Sequence, residues 1–197
     1  LGTRAHIRKD ACRRNDGKLA LATRTSGAIK DPACVVELRK IILLRHAKSS
    51  WKDLNLRDFD RPLSTRGVND ARLMREYIHS LLKEVDQTYS SSSVRTRQTL
   101  EQLMPESYQT VKYLKKLYLA NSDDIFNLMR SIKKDKQVVM IVGHNPGLQT
   151  TLETMLSQSI EKFPTCALAV IALKKNWHKS ALPSGDLLQF VKPRDFK

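Results

Sequence analysis

The sequence predicts a three-layer α/β/α fold around a mostly parallel sheet. Two observations carry the prediction. The continuous apolar runs Ile41-Ile42-Leu43-Leu44 and Val138-Val139-Met140-Ile141-Val142 are short and do not alternate, as expected of strands buried on both faces. Between such runs lie segments with apolar residues three and four positions apart, and strand alternating with helix places helices on both faces of a parallel sheet.

The elements follow in order. Residues 38–44 form the first strand. A helix is expected over 66–85, with apolar spacing at Leu73, Tyr77 and Leu81 and at Ile78, Leu82 and Val85. A short strand at 88–92 leads into a helix over 94–104, and 111–117 reads as extended. Asn121-Ser122-Asp123-Asp124 is a helix start, with a side chain that accepts backbone N–H and acids in the first turn; that helix runs to about residue 132. The second strong strand covers 137–142. Pro146 sits in the first turn of a further helix, which 150–156 continue. Residues 167–173 and 187–191 are the last strands. No internal repeat and no glycine-rich phosphate loop is present.

The bulk composition bounds the class. At 197 residues, 41% hydrophobic and 28% charged, the chain can bury a core without disulfides or metals. No apolar run approaches the ~18 residues of a membrane helix, so no membrane partner is expected. Cys12, Cys34 and Cys166 are widely spaced and form no CxxC pair, which argues against a disulfide framework or a zinc ribbon. Lys and Arg number 35 against 20 Asp and Glu, a formal charge of +15. Such a balance favours anionic partners, although a merely basic surface gives the same number.

Residues 1–36 differ from the remainder. Arg4, Arg8, Lys9, Arg13, Arg14, Lys18, Arg24 and Lys30 face only Asp10, Asp16 and Asp31, and no aromatic residue is present. The segment is expected to be a basic, disordered extension to a domain over 37–197. Its composition fits an organellar transit peptide, plastid or mitochondrial, as well as a plain basic tail on a cytoplasmic protein.

In open α/β sheets, ligands bind beyond the carboxyl ends of the strands. The first strand runs into Arg45-His46-Ala47 and the later one into Gly143-His144-Asn145-Pro146-Gly147, so each places a histidine there. One such histidine is more often structural; the pair, with Arg45 adjacent, points to chemistry. Arg61 closes the loop after the first strand and Arg95 opens the helix after the serine-rich strand. Guanidinium forks suit phosphate in a way that lysine does not. Several arginines and two histidines would suit a dianionic phosphoryl group, with one histidine as nucleophile and the others stabilising charge on the equatorial oxygens. The helix start after Asn145-Pro146 is itself favourable to anions.

Four ordered blocks carry a family resemblance. They are Leu43-Leu44-Arg45-His46-Ala47-Lys48-Ser49-Ser50-Trp51, Asp58-Phe59-Asp60-Arg61-Pro62-Leu63-Ser64-Thr65-Arg66-Gly67, Ser91-Ser92-Ser93-Val94-Arg95-Thr96-Arg97-Gln98-Thr99 and Val142-Gly143-His144-Asn145-Pro146-Gly147. Over about residues 39–193 the chain resembles the histidine phosphatase superfamily, and within it the SixA-type phosphohistidine phosphatases. The resemblance implies a phosphoglycerate mutase-like fold. It implies that His46 becomes a transient phosphohistidine, that Arg45, Arg61, Arg95 and His144 hold the phosphoryl group, and that no metal or organic cofactor takes part. The expected partner is a phosphorylated substrate, with a phosphohistidine protein among the candidates, and the protein is expected to be a monomer that does not bind nucleic acid.

Departures from the wider pattern bear on the chemistry. Ala47 replaces the signature glycine, and Ser92-Ser93 replaces a proline turn. Larger relatives supply a carboxyl proton donor. Here Asn145 follows the second histidine, and the stretch matching the mutase donor, Tyr118-Leu119-Ala120-Asn121, holds no acid. Asp58, Asp60 and Asp123 are the candidate donors, with loop or cap roles the simpler reading. Arg97 is expected to face solvent, as is His79; His178 follows Trp177 in a loop, and Cys166 is expected in the core. Trp51 is placed either at the pocket rim or in ordinary packing.

Without a strong acid, an alkoxide leaves poorly, whereas an imidazole protonated on its other nitrogen departs neutral. Phosphohistidine and other phosphoramidates are therefore expected to be better substrates than alkyl phosphoesters. Two other classes compete: an inactive relative that binds phosphate or phosphoproteins, and a nucleic-acid-binding protein driven by charge. The second lacks a recognised motif and lacks aromatics interleaved with the basic residues of the tail.

Overall fold

The computed structural model describes residues 39–174 and 183–197. The basic segment 1–36, the boundary after it, Cys12, Cys34, Trp177 and His178 lie outside the described residues.

Six strands form one sheet: β1 (Lys40–Arg45), β2 (Gln87–Ser91), β3 (Lys112–Leu114), β4 (Val138–Gly143), β5 (Leu168–Leu173) and β6 (Gly185–Val191). Their order is β3-β2-β4-β1-β5-β6. The first four are mutually parallel, and β5 and β6 add an antiparallel edge. Among the described residues four α-helices complete the layers: α1 (Thr65–Lys83), α2 (Val94–Leu103), α3 (Ser122–Arg130) and α4 (Gly147–Leu156).

Side chains of a strand point alternately to its two faces, and both faces of the central strands are covered. In β1, Ile41 and Leu43 join Ile125, Phe126, Leu148 and Leu152 of α3 and α4. Ile42 and Leu44 join Ala71, Met74, Ile78 and Leu100 of α1 and α2. The unbroken apolar runs are thus two interleaved core faces. The helix after β1 lies on one face and the helix after β4 on the other, although the two strands are neighbours. That arrangement opens a crevice at their carboxyl ends.

Several elements differ from the sequence expectation. The extended stretch at 111–117 is only a three-residue edge strand, followed by a 3-10 turn over Lys115–Leu117 that buries Leu117. In α1 the buried face is Gly67, Asp70, Ala71, Met74 and Ile78. Tyr77 is not part of it: the ring is 52% exposed and stacks on Phe196 at 3.8 Å, covering the outside of the helix with the chain's end. Pro146 precedes the first residue of α4 rather than occupying its first turn. The start at Asn121 is a full capping box, with reciprocal bonds between Asn121 and Asp124.

Two glycines permit close approaches that fix the crevice. A Cβ on Gly67 would lie 2.2 Å from the Lys48 carbonyl oxygen, so only glycine lets α1 start against the loop after β1. A Cβ on Gly147 would lie 1.9 Å from the Ala120 oxygen, so α4 begins against the segment that carries Tyr118.

Candidate active site

Strand register builds the centre. Arg45 pairs with Gly143 across β1 and β4, so His46 and His144 leave the sheet side by side. Their rings are 4.9 Å apart. Ser90 pairs with Val142, which brings Ser91, at the end of β2, beside His144. Thr99 of α2 ties the loop to the helix: its Oγ1 accepts from the Ala47 amide at 3.0 Å and donates to the Arg95 carbonyl at 2.6 Å. On the other side, the Cys166 amide donates to the His46 carbonyl at 3.1 Å.

Hydrogen-bond partners set the two imidazoles. His46 Nδ1 lies 2.7 Å from the Ala47 carbonyl oxygen. A carbonyl only accepts, so Nδ1 carries the proton and Nε2 is left with a lone pair. Arg95 Nε donates toward that Nε2 at 3.3 Å, and its Nη2 donates to His144 Nδ1, also at 3.3 Å. His144 therefore carries its proton on Nε2, which donates to Ser91 Oγ at 2.9 Å.

The arginines surround this pair. Arg95 is 4% exposed; its Nη2 donates to Asp58 Oδ2 at 2.8 Å and its Nη1 to the Asp58 carbonyl. Arg61 is anchored on the Ser50 carbonyl through Nε and Nη2, at 2.9 and 2.8 Å, and reaches Asp58 Oδ1 through Nη1 at 3.1 Å. Trp51 covers the Arg61 guanidinium at 3.1 Å, which puts this indole at the rim. Arg45 Nη1 donates to the Phe163 carbonyl at 2.8 Å, while its Nε is buried without a hydrogen-bond partner among the described residues. A buried unpaired guanidinium N–H is costly, and an anion's oxygen is what it lacks.

All five residues expected from the sequence thus converge: Arg45, His46, Arg61, Arg95 and His144. Four others were weighed differently or missed. Asp58 is no simple loop carboxylate but the bridge between Arg61 and Arg95. Tyr118 donates to Asp58 Oδ2 at 2.6 Å and meets the His144 ring edge-on at 5.4 Å. Ser91 and Thr99 position His144 and Arg95, and short polar residues at a strand end or inside a helix carry no distinctive sequence signal. Asp60 pairs instead with Arg57 at 2.8 Å, and Asp123 is an exposed first-turn residue of α3. Arg97 is exposed over Tyr113, and His79 is exposed. Asn145 fixes the Phe163 carbonyl at 3.0 Å. Cys166 is buried, and burial pushes its thiol up to about 12.

Electrostatics follow from burial beside cations. Burial, opposed by the Ala47 bond and reinforced by Arg95 and Arg45, lowers His46 to about 4. Burial, His46 and Arg95 lower His144 to about 3. Burial works to raise Asp58, but the bonds from Tyr118 and Arg95 outweigh it and hold the carboxyl at about 2. Both imidazoles are consequently neutral at pH 7 and Asp58 is ionised. An NMR titration of the imidazole nitrogens is expected to show both histidines unprotonated down to pH 5, with His46 titrating near 4 on Nε2; protonation near the ordinary 6.5 would refute this. The same shift makes the fold acid-sensitive. Between pH 6.5 and 4 the unfolded chain binds protons that the folded site does not, so stability falls as pH drops through that window.

Among the described residues, no group of three or more His, Cys, Asp or Glu side chains is placed to hold a metal ion, and no helix is long and apolar enough to cross a membrane. The arrangement offers unprotonated ring nitrogens, Nε2 of His46 and Nδ1 of His144, facing a cluster of guanidinium groups, which is a geometry for accepting a phosphoryl group.

Comparison with known proteins agrees. The family model of the histidine phosphatase superfamily (branch 1) matches residues 41–118. An uncharacterised chloroplastic protein of Arabidopsis thaliana is 35% identical over 159 residues, 75% of this chain and 72% of the relative. The chain belongs to the histidine phosphatase superfamily. Its fold is the phosphoglycerate mutase-like fold of that superfamily, and membership carries phosphatase- or mutase-type phosphoryl chemistry. A protein named as a phosphohistidine phosphatase, SixA, from Agrobacterium tumefaciens has 29% identity and a TM-score of 0.67, covering 79% of this chain and 98% of its own. A SixA-named structure from Nakamurella multipartitia has 26% identity and a TM-score of 0.66, covering 79% and 96%.

Proposed function

We propose that this histidine phosphatase hydrolyses phosphoramidates, phosphohistidine foremost, through a covalent intermediate on His46. One observation carries the reading: the Ala47 carbonyl fixes the His46 proton on Nδ1, leaving the Nε2 lone pair beside Arg95. In the first step Nε2 bonds to phosphorus, and the bond to the leaving nitrogen breaks with its electron pair going to that nitrogen. Arg45, Arg61 and Arg95 take the equatorial oxygens, and the His144 Nε2–H joins them by exchanging Ser91 Oγ for a phosphoryl oxygen. In the second step water attacks phosphorus and His46 leaves. His46 departs as a neutral imidazole because Nδ1 has kept its proton throughout.

The preference for P–N bonds is supported by the donors at hand. Asn145 stands where the resemblance to acid phosphatases implies a carboxyl proton donor, and it is committed to the Phe163 carbonyl. Tyr118 donates its hydroxyl hydrogen bond to Asp58, and that hydroxyl is raised above the ordinary range by burial and by the carboxylate, which makes it a weak acid. Neither serves an alkoxide well.

Rapid-quench trapping with labelled phosphoramidate tests the reading. The expected result is a protein-bound label that is acid-labile and alkali-stable, with turnover of P–N substrates faster than that of alkyl phosphoesters. Absence of label with every donor tried would leave a binding protein. A preference for alkyl esters would overturn the substrate class.

A further inference from the structure

Asp58 is ionised, half-exposed and set among the groups that would hold a phosphoryl anion. It cannot act as a proton donor, and its charge opposes a dianionic ligand. Its side chain is 48% exposed, whereas His46 is 8% exposed and Arg95 4%. Arg95 presents Nε to His46 and its two Nη atoms to Asp58. Asp58 therefore lies across the guanidinium from the nucleophile, on the solvent side. In-line displacement puts the departing atom opposite the attacking Nε2, so the leaving group exits outward, past Asp58 and Tyr118.

The carboxylate has capacity left there. An ionised carboxyl group offers about four acceptor sites. Arg95 and Tyr118 occupy Oδ2 and Arg61 occupies one side of Oδ1, which leaves Oδ1 able to accept one more hydrogen bond. We infer that Asp58 is a specificity-determining residue that accepts an N–H from the leaving group, selecting phosphoramidates whose leaving group is protonated. The inference rests on the phosphoramidate reading above and names the residue behind it. For phosphohistidine the donor is the distal ring nitrogen. As the P–N bond breaks, its electron pair returns to the ring, which leaves as a neutral imidazole still carrying that N–H. For phosphoramidate itself, the protonated nitrogen leaves as ammonia. A phenolate or alkoxide bears negative charge as it departs and is disfavoured by Asp58.

Asp58→Asn keeps the shape and removes the charge. The test compares kcat/KM for phosphoramidate and for p-nitrophenyl phosphate in wild type, Asp58→Asn and the charge-preserving Asp58→Glu. The ratio of phosphoramidate to ester turnover is expected to fall at least about tenfold in Asp58→Asn and to recover at least partly in Asp58→Glu. Parallel losses on both substrates, or an identical ratio in the Asn and Glu variants, would show that Asp58 only holds the arginines. A wild-type enzyme that prefers alkyl esters over P–N substrates would overturn the phosphoramidate reading and this inference together.

Discussion

His46→Ala is expected to lower phosphatase turnover on the order of a millionfold, the scale seen when a covalent nucleophile is deleted, and to abolish the trapped phosphoryl label. The reason is geometric. Each imidazole has one unprotonated nitrogen that accepts from Arg95, Nε2 of His46 and Nδ1 of His144, and they differ at the other nitrogen: His46 donates its N–H to the Ala47 carbonyl next to it in the chain, whereas His144 is tied to Ser91 Oγ at the end of β2. Quench-flow labelling alongside steady-state phosphate release checks this. A variant that still releases phosphate at near wild-type rates would mean that the nucleophile is another group. One that still acquires label would point to His144.

Arg95→Ala should be the next most severe change, about a hundred- to a thousandfold in kcat/KM, as for loss of a preorganised charge-stabilising donor. Arg95 is in contact with both histidines and with Asp58, so its removal uncouples the nucleophile from the phosphate cradle. Arg95→Lys should recover little of this. A lysine ammonium keeps the charge but is a single point, and it cannot bridge His46, His144 and Asp58 as a planar fork does. Inhibition by inorganic phosphate should weaken in both variants, while circular dichroism confirms that the sheet is intact. Near wild-type activity in Arg95→Lys would show that charge alone matters at this position.

The two histidines were legible because each follows a continuous apolar run, and such runs identify central strands whose carboxyl ends form the crevice. Arg45, Arg61 and Arg95 were legible as side chains that gather around the two histidines, because they stand in blocks of recognisable spacing. What the sequence hid was pairing. Asp58 reads as one acid in a polar loop, and only the fold puts its carboxylate between guanidinium groups that come from positions 61 and 95. Tyr118 lies 60 residues from Asp58, in a stretch whose three-residue strand is too short to produce a period. Tyr77 was misread because two overlapping apolar stripes run along α1. The one through Met74 and Ile78 faces the sheet, so Tyr77 falls on the outside and is covered by Phe196.

The register of β1 against β4 has a consequence for how this enzyme fails. Both nitrogen-bearing rings hang from the middle of the sheet, where β1 is hydrogen-bonded on both sides, by β4 and by β5. Amides in such strands exchange with solvent only through the largest openings a protein undergoes. The reactive groups are therefore borne by the segment that melts last, and no partial fraying of an edge such as β3 or β6 separates them. Loss of activity on heating and global unfolding should be one cooperative event rather than an early, local inactivation.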